Sequence, residues 1–181
     1  MQPLSKFGKR RTQSGVGLIE VMVALLLLAI GVLGYIALQS AAVRSTSDSI
    51  VRSNILTNIR DLSDSIRYNP SAIDSYVTKL NEFNSGGSKP KSCEGSVSCT
   101  PAEQAAYDSS QAAERAQAGG YQLGMVVCPN TAGKGVMETR CLVGSWNDTT
   151  PTAGTSSDTD CLDSSGGNYF RGADCLVVEV Q

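Results

Sequence analysis

From Val16 to Leu38 the chain runs for 23 residues with one charged side chain, Glu20. At ~1.5 Å rise per residue such a helix is ~35 Å long, enough to cross a hydrocarbon core of ~30 Å. A carboxylate within that core costs several kcal/mol unless it is paired or neutralised. Whatever this chain builds must therefore place a long apolar segment and account for an acid at its head. Lys6, Lys9, Arg10 and Arg11 precede the run with no acid among them. The positive-inside rule keeps such a leader in the cytoplasm and puts the rest of the chain outside.

Three kinds of segment compete for residues 1–38. An ordinary secretory signal has an apolar core of about 7–15 residues and is removed whole, which this run exceeds. A plain single-pass anchor explains the length and the basic flank but leaves Glu20 unexplained. The third kind accounts for Gly15-Val-Gly-Leu-Ile-Glu20 as a unit: a short basic leader ending in Gly, then an apolar residue, then Glu five places after the Gly. That pattern resembles the class III signal peptides of type IV pilins and pseudopilins. The likeness continues through Glu20-Val-Met-Val-Ala-Leu-Leu-Leu-Leu-Ala-Ile-Gly-Val-Leu-Gly-Tyr-Ile-Ala-Leu-Gln39 and Asp61-Leu-Ser-Asp-Ser-Ile-Arg-Tyr-Asn-Pro70. With Pro101-Ala-Glu-Gln-Ala-Ala-Tyr-Asp108 it is similar to the PilV group of minor type IV pilins.

The resemblance implies cleavage after Gly15 by a prepilin peptidase and N-methylation of the new amine on Val16. It gives Glu20 a role in assembly. A carboxylate four residues along the helix can pair with the methylated amine of an adjacent subunit, which offsets its desolvation where a lone subunit cannot. The expected organisation is a leader over 1–15, a transmembrane or filament-core helix over 16–38, the periplasmic half of the same helix over 39–69, and a globular domain over 70–181. Gly31 and Gly34 in the apolar run fit either close helix approach or a point of local loosening.

Val51, Ile55, Ile59, Leu62 and Ile66 recur at helical steps and form one stripe, while Arg52, Asn58, Asp61 and Asp64 fall on other faces. The long helix is thus expected to run from Val16 to about Tyr68, some 53 residues and ~80 Å, ending before Asn69-Pro70. Arg44, Arg52, Arg60 and Arg67 dot its outer half, either as a solvated face or as contacts with neighbouring subunits. Ser71, with Asp74 three residues on, predicts a capped second helix to about Phe83. Asn84 to Lys91 reads as a loop. Thr100-Pro101 with Glu103 signals a third helix to about Ala118, closed by Gly119-Gly120. Tyr121–Cys128, Val136–Trp146 and Cys175–Val180 read as strands, and Asn147–Asp160 as turns. The fold class that follows is α+β and pilin-like: a long N-terminal helix on a small antiparallel sheet, braced by disulfides.

Cys93, Cys99, Cys128, Cys141, Cys161 and Cys175 all lie beyond the apolar run. An even number confined to the exported part points to disulfides in an oxidising compartment. Six cysteines allow 15 pairings, and the expectation is sequence neighbours: Cys93–Cys99, Cys128–Cys141 and Cys161–Cys175. The last pair would close a loop resembling the C-terminal disulfide loop of many pilins.

Little in the chain suggests catalysis. It contains no His, no Gly-rich phosphate loop and no Cys-x-x-Cys pair for zinc. Asp148, Asp158, Asp160 and Asp163 lack the spacing of a calcium loop and read as a solvated loop. No cofactor and no metal is expected. Removing residues 1–15 takes four of the 15 basic side chains and none of the 17 acidic ones, leaving a formal −6, which disfavours nucleic acid.

The resemblance therefore implies a non-enzymatic minor pilin, held in the bacterial inner membrane and then in the pilus fibre or tip. Its implied partners are a prepilin peptidase, other minor pilins and the major pilin, with a pilus-tip adhesin left open. Pilus assembly, twitching motility and adhesion would follow. A minor pseudopilin of a type II secretion system shares the same arm, and a DNA-uptake pilin is a further alternative.

Overall fold

The computed structural model describes residues 15, 17–129, 131 and 138–180. The chain divides into two units, residues 1–46 and 47–181. The first helix, α1, covers Leu18–Tyr68 and contributes to both. Within the first unit it has no buried residue: every described position is exposed. It is long and apolar enough to cross a membrane.

The second unit has its own core. Ile55, Ile59, Leu62 and Ile66 of α1 are buried, with Val51 partly so, as the stripe predicts. Asn58 departs from expectation. It is only 3% exposed and sits inside the packed face rather than on another one. The steps 55, 58, 59, 62 follow the same three-and-four spacing, so a polar residue was hidden inside the apolar pattern.

Asn69-Pro70 ends α1, and a 3₁₀ turn over Pro70–Ala72 leads into α2, Ile73–Asn84. Ser71 does not cap that helix. Pro70 starts the turn first, Ala72 occupies the cap position, and no side-chain cap bond forms. Asp74 instead meets Arg140 at 3.2 Å. α2 buries Tyr76, Leu80 and Phe83.

α3, Pro101–Ala118, begins with the expected reciprocal cap: Thr100 Oγ1 accepts from the Glu103 N–H, and the Glu103 carboxylate accepts from the Thr100 N–H at 2.8 Å. Its buried face is almost all Ala and Ser, which permits close packing against α2 and the sheet.

The sheet has the order β1-β2-β5, all antiparallel: β1 Tyr121–Val127, β2 Arg140–Trp146 and β5 Cys175–Val180. Expected strand residues Val136 and Met137 lie outside the described residues. The stretch expected to be turns carries two further strands, β3 Thr150–Gly154 and β4 Asp160–Asp163. They pair in parallel, a departure from the all-antiparallel expectation, with an irregularity between Thr150 and Ala153. Polar side chains stabilise this pair: Thr150 Oγ1 donates to Thr159 O at 2.9 Å, and Thr152 Oγ1 donates to the Asp160 carboxylate at 2.7 Å.

Disulfides join Cys93 to Cys99, Cys128 to Cys141 and Cys161 to Cys175. The first closes the loop before α3, and the second staples the end of β1 to β2. The third ties β4 to the start of β5, and thereby the small parallel pair to the main sheet. Each such link contributes on the order of 2–4 kcal/mol by restricting the unfolded chain.

Candidate assembly site

The head of α1 is built from few parts. Gly15 is exposed, and Val16 lies outside the described residues, as does the basic leader before Gly15. Gly17 leads into the helix, its carbonyl accepting the Glu20 N–H at 2.9 Å. Glu20 is therefore in the first turn, where the unsatisfied N–H groups and the helix dipole favour a negative charge. Beyond it, Leu18, Leu25–Leu28, Leu33 and Leu38 present large apolar side chains on every face of the helix, each exposed by more than half. An apolar surface of this extent requires lipid or a partner. The arrangement offers binding and positioning.

The arginines along α1 divide. Arg52 places its guanidinium 5.2 Å from the centroid of the Trp146 ring and so has a partner within the second unit, while remaining exposed. Arg60 and Arg67 remain exposed beside β5.

The acidic residues considered for calcium do not share a centre. Among the described residues no three potential ligands converge. Asp160 accepts from Thr152 and from the Ser156 N–H at 2.9 Å. Asp163 accepts from the hydroxyl and the N–H of Ser165, and those bonds hold its carboxyl below the usual range.

Two polar clusters escaped the sequence reading. Asn58 Nδ2 donates to Ala112 O and to Tyr121 Oη, both at 2.9 Å, tying α1 to α3 and β1. In α2, Asn81 donates through Nδ2 to Met125 O at 3.0 Å and accepts the Met125 N–H through Oδ1 at 3.1 Å, while Asn84 Nδ2 donates to Leu123 O. These two amides occupy the outward carbonyl of Leu123 and both outward groups of Met125 on the edge of β1. Their spacing of three on one helix is the signal in the sequence, since it puts both on one side of α2.

Comparison with known proteins agrees with this geometry. Residues 37–110 match the family described as Type IV pilin Tt1218, and residues 10–36 match the prokaryotic N-terminal methylation motif. No curated protein and no solved structure gives a match. The methylation match spans Gly15, Val16 and Glu20, and the pilin match spans the outer part of α1 through the first half of α3. Proteins of that kind are structural rather than enzymatic. The exposed apolar helix and the methylation motif fit a membrane-anchored subunit. Together with a long helix packed on a small disulfide-braced sheet, the two matches support a type IV pilin.

Proposed function

We propose that this chain is a minor pilin of the PilV type, which joins other minor pilins to prime or tip a type IV pilus. The single observation that carries the reading is the spacing of Gly15 and Glu20 at the head of an apolar helix exposed on every face. A prepilin peptidase cuts after Gly15 and methylates Val16, leaving a secondary amine at the new terminus that is cationic at neutral pH. Glu20 of one subunit then pairs with that cation on the next, and the pair sets register. A helix sliding out of the bilayer is favoured only where the charges meet, because each alone carries its desolvation cost.

The basic leader keeps the N-terminus cytoplasmic, and residues 70–181 fold in the periplasm, where the cysteines can oxidise. The disulfides and the acidic balance beyond residue 15 suit an extracytoplasmic fibre component that does not bind nucleic acid. Twitching motility and adhesion follow from its place in the pilus.

Mass spectrometry of the mature N-terminus tests the reading directly. N-methylvaline at Val16 is the expected result, and an intact Met1 on functional protein removes it. A pilus defect without a secretion defect on deletion separates this role from a secretion pseudopilin.

A further inference from the structure

The three disulfides differ in what surrounds them. Cys128, Cys141, Cys161 and Cys175 are all buried, at 2%, 3%, 0% and 8% exposure. Cys161 and Cys175 belong to the second apolar cluster of the core. Cys93 and Cys99 are each partly exposed and belong to neither cluster. Residues 92, 94–98 and 100 around them are exposed, and Cys99 also lines an open groove of about 420 Å³ with Tyr68 and Pro101. Thiol–disulfide exchange needs a thiolate to reach one of the two sulfurs, so access decides which bonds a folded protein can trade. A bond held in the core opens only when that part of the core opens. The Cys93–Cys99 bond meets no such barrier.

This exposed bond also holds a loop in place. Residues 85–100 form neither helix nor strand. The bond closes residues 93–99 into a ring, within which the Val97 N–H donates to Glu94 O at 3.4 Å. Two side chains then fix the ring against α3. The Tyr107 hydroxyl donates to the Glu94 carboxylate. Lys91 Nζ donates to Ser98 O at 3.0 Å and to the Glu103 carboxylate at 3.5 Å. Glu94 and Ser98 both lie inside the ring, so these contacts depend on its closure. Once it opens, what remains is a set of exposed polar contacts, each weak by itself.

We propose that the Cys93–Cys99 bond is a redox modification site, opened by a dithiol in the folded chain, and that it latches residues 91–99 onto α3. In the exchange, one thiolate of the dithiol attacks one sulfur of the bond. The bond between Cys93 and Cys99 breaks, a mixed disulfide forms, and the other cysteine leaves as a thiolate that takes up a proton. The second thiol of the reagent then displaces the cysteine still attached. The chain gains two electrons and two protons, and the dithiol becomes a disulfide. The other two bonds stay closed and keep the sheet and the core together. The inference concerns the second unit alone and stands apart from how the N-terminus is processed.

The test treats the full oxidised chain in detergent micelles with dithiothreitol or, separately, with reduced thioredoxin. Free thiols are alkylated at intervals and located by mass spectrometry. Cys93 and Cys99 should be labelled at least about a hundredfold faster than the other four cysteines, a gap that should shrink to within about tenfold in denaturant. Amide hydrogen exchange at Ile59 and Leu142 should be unchanged in the singly opened chain. Trypsin cleavage after Lys91 should rise by about tenfold or more once the bond is open. The double variant Cys93→Ser/Cys99→Ser should be cut at that raised rate with no reductant present. Opening by both reagents supports a site that a protein dithiol reaches, and opening by dithiothreitol alone supports one confined to small dithiols. The proposal is overturned by a Cys93–Cys99 bond that stays closed, by native-state labelling of all six cysteines at one rate, or by faster exchange at Ile59 and Leu142. Cleavage after Lys91 that is unchanged in both the reduced chain and the double variant overturns the latch.

Discussion

Gly144 of β2 lies directly against Ile55 of α1, so close that a methyl group at Gly144 would overlap Ile55 Cγ2. This contact fixes how near the helix comes to the sheet. Gly144→Ala must push the two apart or force Ile55 off its rotamer, at a cost of about 1–3 kcal/mol. Ile55→Ala alone should cost about 2–5 kcal/mol through the cavity it leaves. The double variant should be less destabilised than the sum, because each change makes room for the other. Denaturant unfolding of the four proteins measures the coupling, and strict additivity would contradict the contact.

Asn58 is the polar counterpart of that contact. Replacing it with Ala removes the donors to Ala112 O and Tyr121 Oη within a buried face. A loss of about 1–3 kcal/mol is expected in denaturant unfolding. Asn58→Asp should be worse than Asn58→Ala, since it buries a charge and offers acceptors to acceptors.

The Tyr76 hydroxyl donates to the Asp108 carboxylate at 2.7 Å. Burial, and secondly Asp108, push the Tyr76 phenol well above its ordinary value near 10. A group raised in the folded state contributes stability that is complete below its unfolded pKa and drains away as pH rises toward the folded one. Unfolding free energy should therefore hold up to about pH 10 and fall beyond it. Burial also raises Tyr121, so Tyr76→Phe should reduce the alkaline slope without abolishing it. Urea titrations at a series of alkaline pH values measure this, and an unchanged slope in Tyr76→Phe would show that the phenol is not involved.

Glu20→Ala tests the proposed registry pair. Membrane fractionation should give the wild-type amount of protein, since one acid fewer eases insertion. Sheared pili should lack the variant. Wild-type incorporation would mean that Glu20 does not set register.

The features legible in the sequence were those whose causes lie within a few residues. The cap at Thr100 and Glu103 forms from neighbours three apart, and the one longer-range partner, Lys91, meets the other carboxylate oxygen of Glu103 and leaves the cap in place. Ser71 and Asp74 have the same spacing, but Asp74 is drawn to Arg140, 66 residues away, which no local rule anticipates. The stripe from Val51 to Ile66 was visible because apolar spacing reports burial directly. Asn58 was not, because its burial depends on Tyr121 and Ala112 arriving to satisfy it. Strands β3 and β4 were hidden for a related reason. Their Thr, Asp and Gly residues are turn formers by composition, and they become strands through side-chain bonds made only once the two segments meet. The head of α1 is the opposite case, since the Gly15–Glu20 pattern is local and the methylation motif is matched there.

The amides of Asn81 and Asn84 have one more effect. By bonding to Leu123 and Met125 from a helix, they lay a covering element across that margin of the sheet. A strand arriving there would first have to break three hydrogen bonds, so two side chains guard against joining at that margin.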